Sequence, residues 1–412
     1  MKLSWYHSIL VIGAVTIFYT SMLEFIHRLD PTNPQWLPKN WVIVFSVAAI
    51  PLFLKQGTLG ATLRSPLTLW CFGYLWISLI WFFNSSQSED AWHDLRLRFL
   101  AMIELMSFWM IFSYPAALQL ARRLLVVAVL WGVTLNVYEM FVPGTFSDVF
   151  GRSAGLYRNP NMSGEALLLG MILSTTVLHS RYRTLFVLVT GLGILATFSR
   201  ANILLWGLAV ACFVIFGHLR GKDLLFSLFG TFIVGLVLLL PRLDQLLTTW
   251  DQAGLFNRDV LERLEWFANP FGVSDHSSWS RAQVAKEAWE KFAQAPFFGY
   301  GTGSSSEISL KAHNQYLVFM LDHGIIGAAI LPLLLWALLR LADGLTRQIG
   351  QIFALSILIM AFSTHNLLAH EYNLFLFSLM GAMAASHCSG VSRLAGNVYA
   401  LPPSGSSATI KA

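Results

Sequence analysis

The chain is 412 residues long, 56% hydrophobic and 12% charged, where an ordinary soluble domain has roughly 25% charged residues. With a mean hydropathy of +0.60 it is not a soluble globular protein. The excess of 27 basic over 22 acidic residues gives a net charge of +5, spread too thinly along the chain to make a nucleic-acid surface.

Apolar runs bounded by charges predict twelve membrane spans, the first nine at residues 9–26, 41–54, 66–83, 99–114, 124–141, 166–179, 185–198, 201–216 and 224–240. A long polar interval follows, and then runs at 316–339, 349–367 and 372–386. No small-residue cleavage site precedes Glu24, so the first run is read as an uncleaved span. The expected organisation is spans one to nine over 1–240, an outer loop domain over 241–312, spans ten to twelve over 313–387, and a disordered tail over 388–412.

Placing both termini in the cytoplasm puts thirteen Lys and Arg residues on the inner side and seven in the short outer loops. The positive-inside rule therefore predicts cytoplasmic termini and polar chemistry on the outer face. The three cysteines, two of them inside apolar runs, give neither a disulfide framework nor a cysteine metal site. His365 and His370 lack the i, i+4 spacing of a helical zinc pair, so no metal site is expected.

Several outer features go beyond what a bilayer requires. Arg200 stands between two apolar runs, where a deep charge costs about 2.5 to 3.5 kcal/mol, and is either a snorkelling cation or an anion receptor. The turn-rich loop 151–165 carries Arg152, Arg158 and Asn159, with Asn161 or Ser163 expected to cap the sixth span. In the long loop, 281–293 reads as an amphipathic helix with Ala285, Ala288, Trp289 and Phe292 in one stripe and Arg281 at its head. Gly299-Tyr300-Gly301-Thr302-Gly303 has no flanking strand and fails as a dinucleotide fingerprint.

His313-Asn314-Gln315-Tyr316 opens the tenth span. In a continuous helix Gly324 and Gly327 lie below His313 on one face, where they let a second helix approach. Histidine accepts a proton near neutral pH, which makes His313 a candidate base. Asp322 and His323 lie deeper, as members of a polar path, and Glu104 is read as a structural partner in the bundle.

His313-Asn314, nine residues, Gly324, two residues and Gly327 resembles the H-[N/S/Q]-x9-G-x-x-[G/T/Y] pattern of bacterial O-antigen ligases. The long loop before it, the Ser199-Arg200 pair and the arginine-led helix extend the resemblance over all but the tail. It implies an all-α polytopic protein of the GT-C membrane glycosyltransferase type, in the bacterial inner membrane, with its active site facing the periplasm. It further implies transfer of O-antigen from undecaprenyl diphosphate to a sugar hydroxyl of lipid A-core, without metal, nucleotide or other cofactor. His313 corresponds to the family's essential histidine and Arg200 and Arg281 to its two arginines. Arg152 and Arg158 correspond more loosely to a diphosphate-binding loop, and Asn314, Tyr316, Gly324, Gly327 and Asn159 to supporting positions. O-antigen polymerases and protein O-oligosaccharyltransferases share these features. A transporter or flippase of an anionic lipid-linked substrate is the reading from another class, weakened by the absence of any internal repeat.

Overall fold

The computed structural model describes residues 3–55, 65–149, 151–226, 261, 276–307 and 312–398, and these are helical throughout apart from their connecting turns. α1 (Trp5–Gly13) continues through a π-helical turn at Ala14–Tyr19. Ser21 then takes a left-handed φ of 54°, and α2 (Met22–Leu29) leaves at 55° to its predecessor. The first predicted span is therefore a broken one, because a π turn and a left-handed serine shift the helix off its axis.

Next come α3 (Pro38–Lys55), α4 (Pro66–Phe82), α5 (Glu89–Phe112) and α6 (Pro115–Phe141), three of them with proline at the first helical position. Ser65 and Ser88 cap α4 and α5 by accepting the amides of Thr68 and Ala91. That cap, with Glu89 and Asp90 in the first turn, starts α5 well ahead of the predicted 99–114 and draws Arg98 into the bundle. α7 (Pro160–Ser174), α8 (Ser180–Ala196) and α9 (Arg200–Ile215) follow, and the predicted ninth span lies outside the described residues beyond Phe226.

The chain resumes with α10 (His276–Gln294), then α11 (Gln315–His323), α12 (Gly327–Leu339), α13 (Gly344–Met360) and α14 (Glu371–Val398). The expected tail beyond 398 is outside the described residues. Among the described residues, α6 and the α11–α12 run are long and apolar enough to cross a membrane. The bent α1–α2 pair makes a third if taken as one span, and α4, α9 and α13 are shorter apolar helices. This describes a helical membrane protein and leaves twelve spans as an expectation.

α5 and α14 pack along each other at the centre, where Phe108 and Phe112 meet Phe375 with ring centroids 5.8 and 5.1 Å apart. Between apolar helices in lipid such interlocking, not hydrophobic expulsion, supplies the contact energy. Ser378 adds a hydrogen bond from its hydroxyl to the Leu105 carbonyl (2.7 Å). Glu104, also in this core, makes no hydrogen bond through Oε1, and its ionisable neighbour is Glu371. The polar partner expected for Glu104 is not met at that oxygen.

Candidate functional site

The site is built around the start of α11. Asn314 caps the helix, its Oδ1 accepting the amides of Tyr316 (3.0 Å) and Leu317 (3.2 Å). The buried Gln315 then fastens α11 to the turn between α13 and α14. Its amide donates to the Ala361 carbonyl (2.7 Å), and its Oε1 accepts the Leu367 amide (3.0 Å). Tyr316 adds a hydrogen bond from its hydroxyl to the Leu358 carbonyl (3.2 Å) and a ring contact with Phe362 at 4.9 Å. The result places His365 of that turn against His313, ring centroids 4.8 Å apart and planes at 75°.

α10 reaches the same place from the other side. Ala288 and Phe292 are buried against Leu317, Met320 and Leu321 of α11, with Val284 and Ala285 alongside. Arg281 heads this stripe, seven residues before Ala288, and so lies next to His313. Trp289 departs from the expectation: it is exposed, being about 100° around the helix from Ala288. Partial burial first, and then the Arg281 guanidinium, hold the His313 imidazole below its ordinary 6.5, so it is a neutral base at neutral pH.

The arginine-bearing loop before α7 is organised by a residue the sequence reading did not single out. Glu139, buried at the end of α6, accepts the amides of Phe146 (2.9 Å), Ser147, Ala154 (2.8 Å) and Gly155 (3.2 Å). Arg28 donates to the carbonyls of Leu156 and Tyr157 (both 3.2 Å). Arg152 is itself buried, donating from Nε to the Thr197 carbonyl and from Nη2 to Asn161 Oδ1, each at 3.0 Å. It lashes the loop to the turn before α9.

Asn159, not Asn161 or Ser163, caps α7, accepting the Met162 amide (3.0 Å). Pro160 at the first helical position fixes the cap one residue earlier, and the other two side chains are engaged elsewhere: Asn161 with Arg152, Ser163 with Asn136 (2.9 Å). Arg200 is the first residue of α9, beside Asn202, whose Nδ2 donates to the Asn161 carbonyl (2.9 Å). Arg158, exposed on the loop, bears electrostatically on His370. Burial, then His365 and Arg158, push His370 down to about 4. Arg158, His370, His365, His313 and Arg281 thus form a continuous line across one end of the bundle.

The glycines of the motif have a different use from the one their spacing suggested. Gly324 has a φ of 64° and a ψ of −153°, a conformation open essentially to glycine alone, and it ends α11. A Cβ there would meet the Phe297 carbonyl oxygen at 2.2 Å, so what approaches is the chain after α10 and not another helix. Residues Gly324–Ile326 are looped out, with the Ile325 amide donating to the Pro296 carbonyl (2.8 Å). Gly327 resumes the helix against the Phe319 carbonyl, where a Cβ would stand at 2.0 Å.

Asp322 and His323, expected on a polar path, are completely buried in an ion cluster with Arg98. The Arg98 guanidinium donates to Asp94 (2.8 Å) and Asp322 and contacts His323 Nε2 (2.7 Å). Asp322 Oδ1 accepts from Ser304 Oγ (3.1 Å) and the Ser305 amide (3.0 Å). The glycine-rich segment is held here too, Tyr300 and Gly301 donating their amides to the carbonyls of Leu321 and Asp322 (2.8 and 3.0 Å). The cluster anchors the far end of α11 to α5, so it serves α11's position.

A protein-family model described as O-antigen ligase matches residues 185–332. Over that stretch, about a third of the chain, the sequence is similar to the O-antigen ligase family. The match runs from α8 into α12 and contains Arg200, Arg281, His313, Gly324 and Gly327, whereas the loop bearing Arg152 and Arg158 and the turn bearing His365 fall outside it. No curated protein matches the chain. Among the described residues, no group of three or more His, Cys, Asp or Glu side chains is arranged to hold a metal ion.

Proposed function

We propose that the chain is an O-antigen ligase, transferring a polysaccharide from undecaprenyl diphosphate to a sugar hydroxyl of lipid A-core at the periplasmic face of the inner membrane. The observation that carries this reading is the juxtaposition of a neutral, exposed histidine with an arginine: His313 beside Arg281, at the end of an apolar helix run.

In this mechanism the donor's polyprenyl chain stays in the bilayer while its diphosphate meets the arginines at the rim. Arg281 and Arg200, with Arg158, bind the diphosphate oxygens and stabilise the negative charge that grows as the bond from the anomeric carbon to phosphate oxygen breaks. Guanidinium suits this because it offers paired donors and keeps its charge. His313 takes the proton of the acceptor hydroxyl as that oxygen attacks the anomeric carbon from the opposite side, which inverts the configuration. Arg152, committed to Thr197 and Asn161, holds the loop for Arg158. The donor already carries its activation in the diphosphate, so the mechanism requires no nucleotide.

Surface lipopolysaccharide tests the acceptor class. A strain lacking the protein should display bare lipid A-core. Core bearing a single repeat unit would identify a polymerase instead, and unchanged lipopolysaccharide with altered glycoproteins a protein O-oligosaccharyltransferase.

A further inference from the structure

The histidine turn after α13 has no part in the mechanism above, yet the fold goes to some length to place it. The backbone and side chain of Gln315 both bind that turn, at Ala361 and Leu367, so the residue that follows the helix cap also fixes where His365 stands. His365 meets His313 ring to ring at 4.8 Å and 75°. Positive groups surround the pair. Arg281 of α10 bears on His313, and His370, with Arg158 beside it, bears on His365. Glu24 lies beside Arg158, and Glu371 follows His370 directly. With these cations at hand, a second imidazolium in the row is disfavoured.

We propose that His365 is a positioning residue for His313: it stays uncharged, seats the base edge to face, and offers its ring to the positive charge that His313 acquires when it takes the acceptor's proton. This deepens the ligase reading and rests on His313 being its base. An aromatic ring facing an imidazolium stabilises it as it does any cation, and an edge-to-face contact also restricts ring rotation. No proton passes to His365; what His313 takes from it is the ring contact.

That distinction sets the experiment. Purified wild-type protein, His365→Phe and His365→Ala are compared for transfer from polyprenyl-diphosphate glycan to lipid A-core, with the His313 ring followed by NMR titration after selective histidine labelling. We expect His365→Phe to keep kcat within about threefold and His365→Ala to lose about tenfold in kcat at unchanged donor KM. The His313 titration should move to lower pH in His365→Ala and stay in place in His365→Phe. A Phe variant as slow as the Ala variant would overturn the proposal, as would a His313 titration unmoved in His365→Ala. Should the Ala variant fail to fold, the wild type alone decides: His313 must become charged at higher pH than His365, and the reverse order refutes the assignment. These titrations are read without turnover, so they remain separate from the ligase reading, which fails if His313→Ala still transfers glycan.

Discussion

At the scale of single residues, His313 differs from an ordinary surface histidine in one respect: burial and Arg281 both oppose its protonation. The pH dependence follows in sign. A base held below 6.5 remains unprotonated to lower pH than a free imidazole. The acid limb of kcat/KM should therefore fall below 6.5, and Arg281→Gln should move it upward while raising donor KM; an acid limb above 6.5 in the wild type contradicts this. His370 works on stability. Unfolded it binds a proton near the ordinary 6.5, whereas in the fold it resists charging until about 4. Its contribution is complete above 6.5 and shrinks as pH falls toward 4, so thermal stability should decline on acidification, and less steeply in His370→Gln. Melting curves between pH 7 and pH 5 check this.

Arg281 and Arg200 stood out as candidates in the sequence because a charge beside apolar runs is costly enough to need a reason, and His313 because its motif resembles that of O-antigen ligases. Glu139 and Gln315 were not. Each acts by satisfying backbone amides contributed by distant segments, and no local pattern marks a residue that does so. His365 was noticed only as an unsuitable metal ligand. Its neighbour in space is 52 positions away, and no periodicity spans that distance.

At the scale of elements, α10 and α11 carry the candidate pair Arg281 and His313, and α11 is fixed at both ends: by Asn314 and Gln315 at its start, by the Arg98–Asp322 cluster at its finish. Breaking a buried ion pair by removing one partner typically costs about 3 to 5 kcal/mol. Arg98→Leu should therefore lower thermal stability by about that amount and reduce transfer, although Arg98 touches no substrate in the mechanism. Gly324→Ala imposes a left-handed backbone on alanine and drives its Cβ into the Phe297 carbonyl, so we expect little folded protein, measured as the monodisperse fraction on size exclusion. A Gly324→Ala protein as stable as the wild type would show that the bulge at Gly324–Ile326 is dispensable. The helical character of these elements was readable from apolar runs and caps. The break within 316–339 was not, because Gly324 fits a continuous small-residue face and a bulge equally well until the chain bearing Phe297 is seen against it.

At the scale of the whole molecule, the helices bring to one end of the bundle arginines and histidines that lie far apart in sequence. Arg158 precedes α7, Arg281 begins the stripe of α10, and His365 and His370 follow α13. Sequence could suggest that end through the positive-inside rule, which groups residues by loop, but it could not give their order across the surface. With guanidinium groups meeting the diphosphate, transfer should be unaffected by chelation: activity lost in EDTA and regained with a divalent ion would disprove the metal-free mechanism.

Whether His313 and Arg281 perform glycan transfer is decided by reconstitution. Purified protein, polyprenyl-diphosphate-linked glycan and lipid A-core are combined, and the ligated product is quantified for the wild type, His313→Ala and Arg281→Ala, each shown to be folded by its melting transition. We expect product from the wild type, a loss of about a hundredfold or more in His313→Ala, and a raised donor KM with reduced kcat in Arg281→Ala. Full transfer by a folded His313→Ala protein would contradict this expectation.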